Sequence, residues 1–461
     1  MNTTKLISDS FATFVSGQEW EAIPEAVRGR AKLLLLDAVG NAYAATRLEF
    51  AHKALTALRG LGSGDANVIG MPAQLALRDA VLMNGMLVHG LDFDDTYLPG
   101  SVHLTASCVP AALGIAAHVQ ASGKELLAAL ALGLEVGARL GAAGKGGFNK
   151  VGFHATNLAG TFACTMIAGR LMRLSHTQLM MAQGIALSTA AGTLQPIQDG
   201  SWTKRMHPGW AGASAVTAAA LARQGFIGPS EAYEGRFGLF SCFLGEHAAN
   251  ADLSLATSDL AERWEFTRSS VKLYPACHQA HAFMNAAIKL RREHAVSAAK
   301  VDSVRALVAE VAVPLICEPV DAKRKPASSY AAQFSLYYGI ACGLVRGRFG
   351  FEELEESSYS DPELLALAQK VNYEIDPKSG FPKSRSGEVI IRMKDGQEIS
   401  RREDIGPDEP AAEEDVVAKF MNNTKAVLSP ARAGNIRDMI MNIDRLPDAR
   451  TLTHLLGGAG M

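Results

Sequence analysis

The six cysteines of this sequence (Cys108, Cys164, Cys242, Cys277, Cys317 and Cys342) contain no C-x-x-C pair. That absence excludes the clustered thiolates of an iron–sulfur site, and the scatter fits buried thiols in a reducing compartment better than a disulfide framework. Charge of one sign is also missing. Lys plus Arg number 45 against 47 Asp plus Glu, a formal net charge of −2 with no long run of either. A nucleic-acid binder needs a concentrated basic face to neutralise phosphates, so that class is set aside. No secretory leader is expected, because Met1–Ala22 is largely polar and carries Asp9, Glu19 and Glu21. The most apolar stretch, Leu126–Leu140, is interrupted by Glu135 and Arg139 and reads as too short to span a bilayer. The chain is therefore expected to be cytoplasmic, without a membrane or nucleic-acid partner. Nucleotide signatures are lacking too: Gly60-Leu-Gly-Ser-Gly64 does not follow a strand, and Gly141–Gly147 contains no Gly-Lys-Ser/Thr.

What the sequence does have is length and small residues. At roughly 150 residues per domain, 461 residues suggest two or three domains. Hydrophobic residues make up 48% and charged residues 20%, the balance of a globular chain with a large core. Abundant Ala and Gly with few aromatics lean towards closely packed helices. From Lys5 to about Arg223 nearly every segment is helical in pattern, and none shows the alternation of a strand. Ala26–Ala45, Leu77–Leu91, Cys108–Val119, Leu126–Leu140, Ala159–Leu174 and Ala211–Arg223 are the helix candidates. After about Lys272 the pattern changes. Ser303–Val313 and Val371–Ile375 read as strands, and Glu388–Met393 with Gln397–Ser400 reads as a hairpin across Lys394-Asp-Gly396. Helices are expected at Ala331–Arg346 and Asp361–Lys370, then, after a charged linker at Pro407–Pro410, at Glu413–Leu428 and Pro430–Asp444. The reading is mainly α: a helical domain over residues 1–268 and 406–461, with a smaller α+β domain over 269–405.

Four polar segments interrupt apolar surroundings. His89-Gly-Leu-Asp92-Phe-Asp94-Asp95-Thr96, followed by His103, crowds three carboxylates, and crowded like charges raise one another's pKa. A group that must hold or release a proton near neutrality benefits from that. On a helix, His89, Asp92, Asp95 and Thr96 would share a face and Asp94 would point elsewhere; the alternative is a solvated helix end. Gly152-Phe-His154-Ala-Thr156 offers an acid–base or carboxylate-binding histidine, or simply a packed one. Gln198-Asp-Gly-Ser-Trp202-Thr-Lys204-Arg-Met-His207-Pro-Gly-Trp210 reads as a glycine-containing loop suited to an anion, or as a solvated basic turn. Lys272-Leu-Tyr-Pro-Ala-Cys277-His278-Gln-Ala-His281 lies at the expected domain junction. His278 and His281 are three apart, but a third ligand at suitable spacing is not apparent, so no metal site is read there. Cys277 reads as a buried thiol rather than a nucleophile.

Taken in order, these segments resemble the MmgE/PrpD family, which includes 2-methylcitrate dehydratase, cis-aconitate decarboxylase and iminodisuccinate epimerase. Lys325-Pro-Ala-Ser-Ser-Tyr-Ala-Ala-Gln-Phe-Ser-Leu336 adds a further match, and the resemblance covers essentially the whole chain. It implies a large all-helical domain formed from both chain ends, a smaller α+β lid domain, a homodimer, and a site between the domains that needs no cofactor. It points to Asp92, Thr96, His103, His154, Lys204 and Lys272 as site residues. There are two departures from the pattern. Cys277, with His278 next to it, stands where the decarboxylase branch is expected to carry histidine. Near the aspartates, Tyr97 and Leu104 stand where histidine and proline are frequent. The reactions of the family share a carbanion next to a carboxylate. On that reading Asp92 and His103 transfer the proton, His154 and Lys204 stabilise the developing charge, and Thr96 orients the aspartate or the substrate. Lys204 and Lys272 bind carboxylates, with Cys277 and His278 beside the substrate. The expected activity is that of a dehydratase-like lyase on a small di- or tricarboxylate. An iminodisuccinate-like epimerase, a cis-aconitate decarboxylase and a non-catalytic carboxylate binder are the alternatives.

Overall fold

Apolar residues at helical spacing, joined by short turns, make the first part of the chain a stack of helices. The computed structural model describes residues 5–199, 201–381, 383–406 and 410–458. These divide into two units: Met1–Val271 with Pro410–Met461, and Lys272–Glu409. Helix accounts for 60% of the chain and strand for 9%, so the protein is mainly α.

In the first unit the helix Glu25–Ala45 buries Val27, Ala31, Leu34, Leu35 and Val39, the residues whose recurrence marks it as helical. The helix Gly123–Ala143 begins at a capping box, in which Ser122 and Glu125 satisfy each other's backbone N–H groups. It corrects the sequence expectation for this stretch. At 21 residues the helix is long and apolar enough to cross a membrane, yet 94% of its apolar window is buried within the unit. Glu135 and Arg139 pair at 2.5 Å inside it, and Arg139 also donates to the carbonyls of Asp259 and Arg263. A core helix with an internally satisfied ion pair accounts for that apolarity.

Two helices bring distant polar side chains together. Leu77–Val88 and Thr203–Arg223 cross at Gly85 and Gly209. A Cβ on Gly85 would lie 2.3 Å from Gly209 Cα, and one on Gly209 would lie 2.1 Å from Leu82 O. Only glycine at both positions lets the backbones meet, and the crossing brings the start of the second helix beside the end of the first. Thr203–Arg223 starts eight residues earlier than the sequence pattern suggested, because Pro208 and Gly209 mask a helix whose first turns are polar. Lys204, His207 and Trp210 therefore stand on a helix and not in a loop. A two-stranded antiparallel pair, β1 (Ala66–Asn67) and β2 (Gln74–Leu75), also corrects the all-helical reading; strands of two residues carry no alternation to detect.

The chain returns to this unit at its end. Glu413–Thr424 packs against Glu25–Ala45, and Lys419 forms a buried pair with Asp37 at 2.5 Å. Residues 407–409 of the expected linker lie outside the described residues.

The second unit holds a four-stranded sheet of β3 (Val301–Val308), β4 (Val371–Ile375), β5 (Arg385–Met393) and β6 (Glu398–Ile405) in the order β4-β3-β5-β6. β3 runs parallel to β4 and antiparallel to β5, and β5–β6 is the hairpin, with Gly396 at a φ of 91° in its turn. His281–His294 and Leu336–Arg346 pack together, and the former also covers β5 and β6. Two sequence expectations fail here. The strand stops at Val308, and Val311 and Val313 fall in a helical turn and a short helix. The expected helix Ala331–Arg346 is broken at Phe334, after which the Ser335 side chain caps a new helix by accepting from Tyr338 N.

Candidate active site

The helix Leu77–Val88 ends just before the aspartate segment, with His89 as its C-cap. The chain then turns sharply, and Asp92 adopts a φ of 51°, a left-handed conformation that Asp tolerates better than most residues. The helical face expected for His89, Asp92, Asp95 and Thr96 is thereby dissolved. Asp94, expected to point elsewhere, is instead the partner of His89: Nδ1 lies 2.9 Å from Asp94 Oδ2.

The turn is fixed from behind. Lys419 Nζ donates to Phe93 O at 2.7 Å and sits 3.7 Å from the Phe93 ring centroid, while Asn41 Nδ2 donates to the same carbonyl at 3.3 Å. Asn41 is held in turn by Asn423. Asp95 is buried and caps the next helix: Oδ1 accepts from Thr105 N at 2.9 Å and from Thr105 Oγ1 at 2.7 Å. Burial pushes its carboxyl up to about 6, against the opposing pull of the Thr105 hydrogen bonds. Asp95 is thus a structural acid, and its carbonyl, not its carboxylate, reaches His103.

His103 Nδ1 lies 2.8 Å from Asp95 O. A carbonyl only accepts, so Nδ1 carries a hydrogen, and in the neutral form of the ring the lone pair is at Nε2. Nε2 faces Asp92 Oδ1 at 3.7 Å. Lys204 completes the group from the crossing helix. Its Nζ lies 3.1 Å from His89 Nε2 and 3.2 Å from Asp92 Oδ2. A hydrogen-bonded series therefore runs Asp94–His89–Lys204–Asp92, with His103 closing on Asp92. His154, at the start of the helix Ala155–Leu171, stacks over this group, its ring centroid 5.5 Å from His89 and 6.3 Å from His103. Burial and then the charge of Lys204 hold the His154 imidazole well below its ordinary range, so it is neutral.

Asp92, His103, His154 and Lys204 thus come together in the first unit. Asp92 is 37% exposed and His103 14%, whereas His89 and Asp94 are closed off. One pair is thus open to solvent and the other is enclosed. Thr96 is buried, and its backbone bridges Ser270. Its Oγ1 has no hydrogen-bond partner among the described residues. Tyr97 is fully buried and donates to Glu265 Oε2 at 2.6 Å, a packing role. Lys272, Cys277 and His278 belong to the second unit. Lys272 and His278 are buried, and Cys277 N donates to Gln333 O at 2.8 Å. Gln333 Nε2 returns a bond to Pro275 O, which interlocks two of the motifs noticed in the sequence. His278 and His281 stack at 4.7 Å.

His89, Asp92, Asp94 and His103 each offer a donor atom, all within 4.8 Å of one another, a set that could surround a divalent cation. The ammonium of Lys204 already supplies a positive charge against two of them, and a metal would have to displace it. Sequence reasoning missed His89, Asp94, His207, Lys419 and Asp37 as site-forming residues. His207 had a usable signal, because it follows Lys204 by three residues, one helical turn on the same face. Lys419 had none.

Comparison with known proteins adds what geometry alone does not. Residues 9–252 match the MmgE/PrpD N-terminal domain and residues 274–445 the MmgE/PrpD C-terminal domain. The chain is 26% identical over 471 residues to the cis-aconitate decarboxylase of Homo sapiens, covering 98% of this chain and 95% of the relative. It is 25% identical over 479 residues to the cis-aconitate decarboxylase of Aspergillus terreus (strain NIH 2624 / FGSC A1156), covering 99% and 96%. The mouse cis-aconitate decarboxylase is 26% identical over 475 residues, covering 98% and 94%.

Proposed function

The chain belongs to the MmgE/PrpD family, and on that premise we propose that the Asp92–His103–Lys204 group is the proton-transfer site of a lyase acting on a small di- or tricarboxylate. The observation that carries this reading is Lys204 Nζ, 3.2 Å from the half-open Asp92 carboxylate, with the Nε2 lone pair of His103 on the other oxygen side. A cation that can bind a substrate carboxylate thereby sits beside two proton-transfer groups. Formation of a carbanion next to a carboxylate spreads negative charge onto its oxygens, and Lys204 and His154 stand where that charge would be stabilised.

Two completions fit the same centre. In elimination, His103 takes the proton beside the carboxylate and the β-hydroxyl leaves with a proton that the Lys204 ammonium passes through Asp92, giving an alkene and water; the proton on His103 then resets Lys204 by the same route. In decarboxylation, the C–C bond to the leaving CO₂ breaks, its electron pair remains on carbon, and a proton that His103 Nε2 takes up from solvent ends there. The names of the relatives favour decarboxylation as the first reaction to test, and the elimination of a 2-methylcitrate-like acid as the second. An epimerase would use the same two groups from opposite faces.

The test is incubation with a panel of di- and tricarboxylic acids in D₂O, followed by NMR with and without EDTA. Turnover of at least one acid with one deuterium placed next to a carboxylate, unchanged by EDTA, is expected. Binding without exchange or product would instead make the protein a carboxylate sensor. Loss of activity with EDTA would replace Lys204 by a metal as the charge-stabilising group.

A further inference from the structure

His154 is enclosed where the helix Ala155–Leu171 begins, and its backbone N–H is committed to Gly192 O at 2.9 Å. Its Nδ1 lies 3.2 Å from Nδ1 of His207. Two imidazole nitrogens hydrogen-bond only when one carries a hydrogen and the other a lone pair. The two rings therefore share one hydrogen at this contact, and the hydrogen on His154 Nε2 depends on how His207 is set.

The surroundings are built for this pairing. Gly192 has a φ of 98°, and a Cβ there would lie 3.2 Å from His207 Cγ and 3.0 Å from Asn157 Nδ2. A glycine at this point thus both offers its carbonyl to His154 and leaves room for the His207 ring. The charged or titratable groups that face His154 are Lys204, His89, His103 and His207. Those facing His207 are His154, His89 and Lys204, and burial, then His89 and Lys204, holds its imidazole down to about 4. Both rings are neutral near pH 7, so each has one hydrogen and the contact couples their tautomers: the ring that accepts at Nδ1 carries its hydrogen at Nε2. No described residue hydrogen-bonds His154 Nε2, and the ring lies between His207, at 5.3 Å, and the His89–His103 pair. Nε2 is the nitrogen left for a bound molecule. His207 also borders a cavity of about 610 Å³ lined by Asn157, Gly192, Thr203 and Trp210.

We propose that His207 is a positioning residue that locks His154 in a single tautomer, and so decides whether His154 Nε2 meets the reacting carboxylate with a hydrogen or with a lone pair. The pairing is given by the geometry, and the catalytic meaning of the lock rests on the lyase reading above. A wrong tautomer leaves every group in place but reverses one hydrogen bond to the developing charge.

The test uses the full chain labelled with ¹⁵N-histidine, with His154 assigned by comparison with His154→Gln, in wild type, His207→Ala and His207→Asn. The wild type should show His154 as one tautomer at pH 7. His207→Ala should show a mixture of tautomers, with the remaining histidine signals unmoved as a check on the fold. His207→Asn, which keeps a polar group of similar reach, covers the case in which the alanine variant does not fold. On an acid turned over by the wild type, kcat should fall by about tenfold or more in His207→Ala while KM stays within about twofold. A mixed tautomer in the wild type, an unchanged His154 tautomer in both variants, or unchanged kcat despite a changed tautomer would overturn the proposal. A locked tautomer in a wild type that turns over no carboxylic acid would sink the lyase reading and leave the lock standing.

Discussion

Replacing Lys419 by Met is expected to destabilise the first unit by about 3–5 kcal/mol. The Lys419 ammonium is enclosed, pairs with a fully buried Asp37 at 2.5 Å and donates to Phe93 O at 2.7 Å. Methionine fills much the same volume, so the loss comes from leaving a buried carboxylate without its cation, and removal of one partner of such a pair costs about 3–5 kcal/mol. That is a large share of the roughly 5–15 kcal/mol that holds a typical protein folded. The charged hydrogen bond to Phe93 O is lost in the same step and is not added separately, because the two contacts share one ammonium. The sign of the pH dependence is set by Asp37. Burial already raises its carboxyl above the ordinary range, and Lys419 is the main influence holding it down. Without Lys419 the folded-state pKa rises further. An acid whose pKa is higher folded than unfolded supports the fold below its unfolded value, and that support is lost as pH rises through the folded value. The deficit of Lys419→Met should therefore be larger at pH 8 than at pH 5. Urea unfolding followed by tryptophan fluorescence at both pH values measures it. The double variant Asp37→Leu with Lys419→Met should recover at least half of the loss, since a buried pair replaced by apolar groups is close to neutral. A single-variant cost below about 1 kcal/mol, a deficit that shrinks with rising pH, or a double variant as poor as the sum of the singles would refute the reasoning.

Asp95→Asn should flatten the pH dependence of stability. The wild-type carboxyl titrates at about 6 when folded against 3.8 as a model group, so its contribution is lost as pH rises across that window; at about 1.4 kcal/mol per pH unit the upper bound is about 3 kcal/mol. Asparagine can still accept the Thr105 hydrogen bonds, so parallel unfolding profiles from pH 4 to 8 in the two proteins would contradict this account. Asp92→Asn and His103→Ala should each abolish turnover and deuterium exchange while changing unfolding free energy by less than about 1 kcal/mol, because both side chains are partly open to solvent. Wild-type rates in either variant remove it from the proton-transfer pair.

Local pattern carried the elements whose signals are local. Val27, Ala31, Leu34, Leu35 and Val39 announced a helix and are buried on one. Val371–Ile375 and the Asp395-Gly396 turn announced strands and a hairpin, and both are present. Ends and breaks were less legible because capping competes with pattern. Nothing apolar marks the stop at Val88, and the helix Leu336–Arg346 is separated from its predecessor only because Ser335 offers an oxygen to Tyr338 N.

The site was half legible for a similar reason. The composition of each motif marked the polar segments and the resemblance picked out Asp92, His103, His154 and Lys204 within them; the structure gathers these four. What the sequence could not supply is which atoms face one another, because that depends on contacts distant in the chain. Asp94 became a partner of His89 only because the left-handed turn at Asp92 reverses the direction of the next residues, and that turn is fastened by Lys419, 326 residues away from Phe93. Lys204 reaches His89 and Asp92 only because Gly85 and Gly209 let two helices touch. Neither glycine carries chemistry, yet any side chain at Gly209 would meet the Leu82 backbone and move Lys204 away from the carboxylate it serves. The candidate site residues could be listed from their kinds and the family resemblance. Their arrangement is set by a lysine and two glycines that no motif of chemistry would single out.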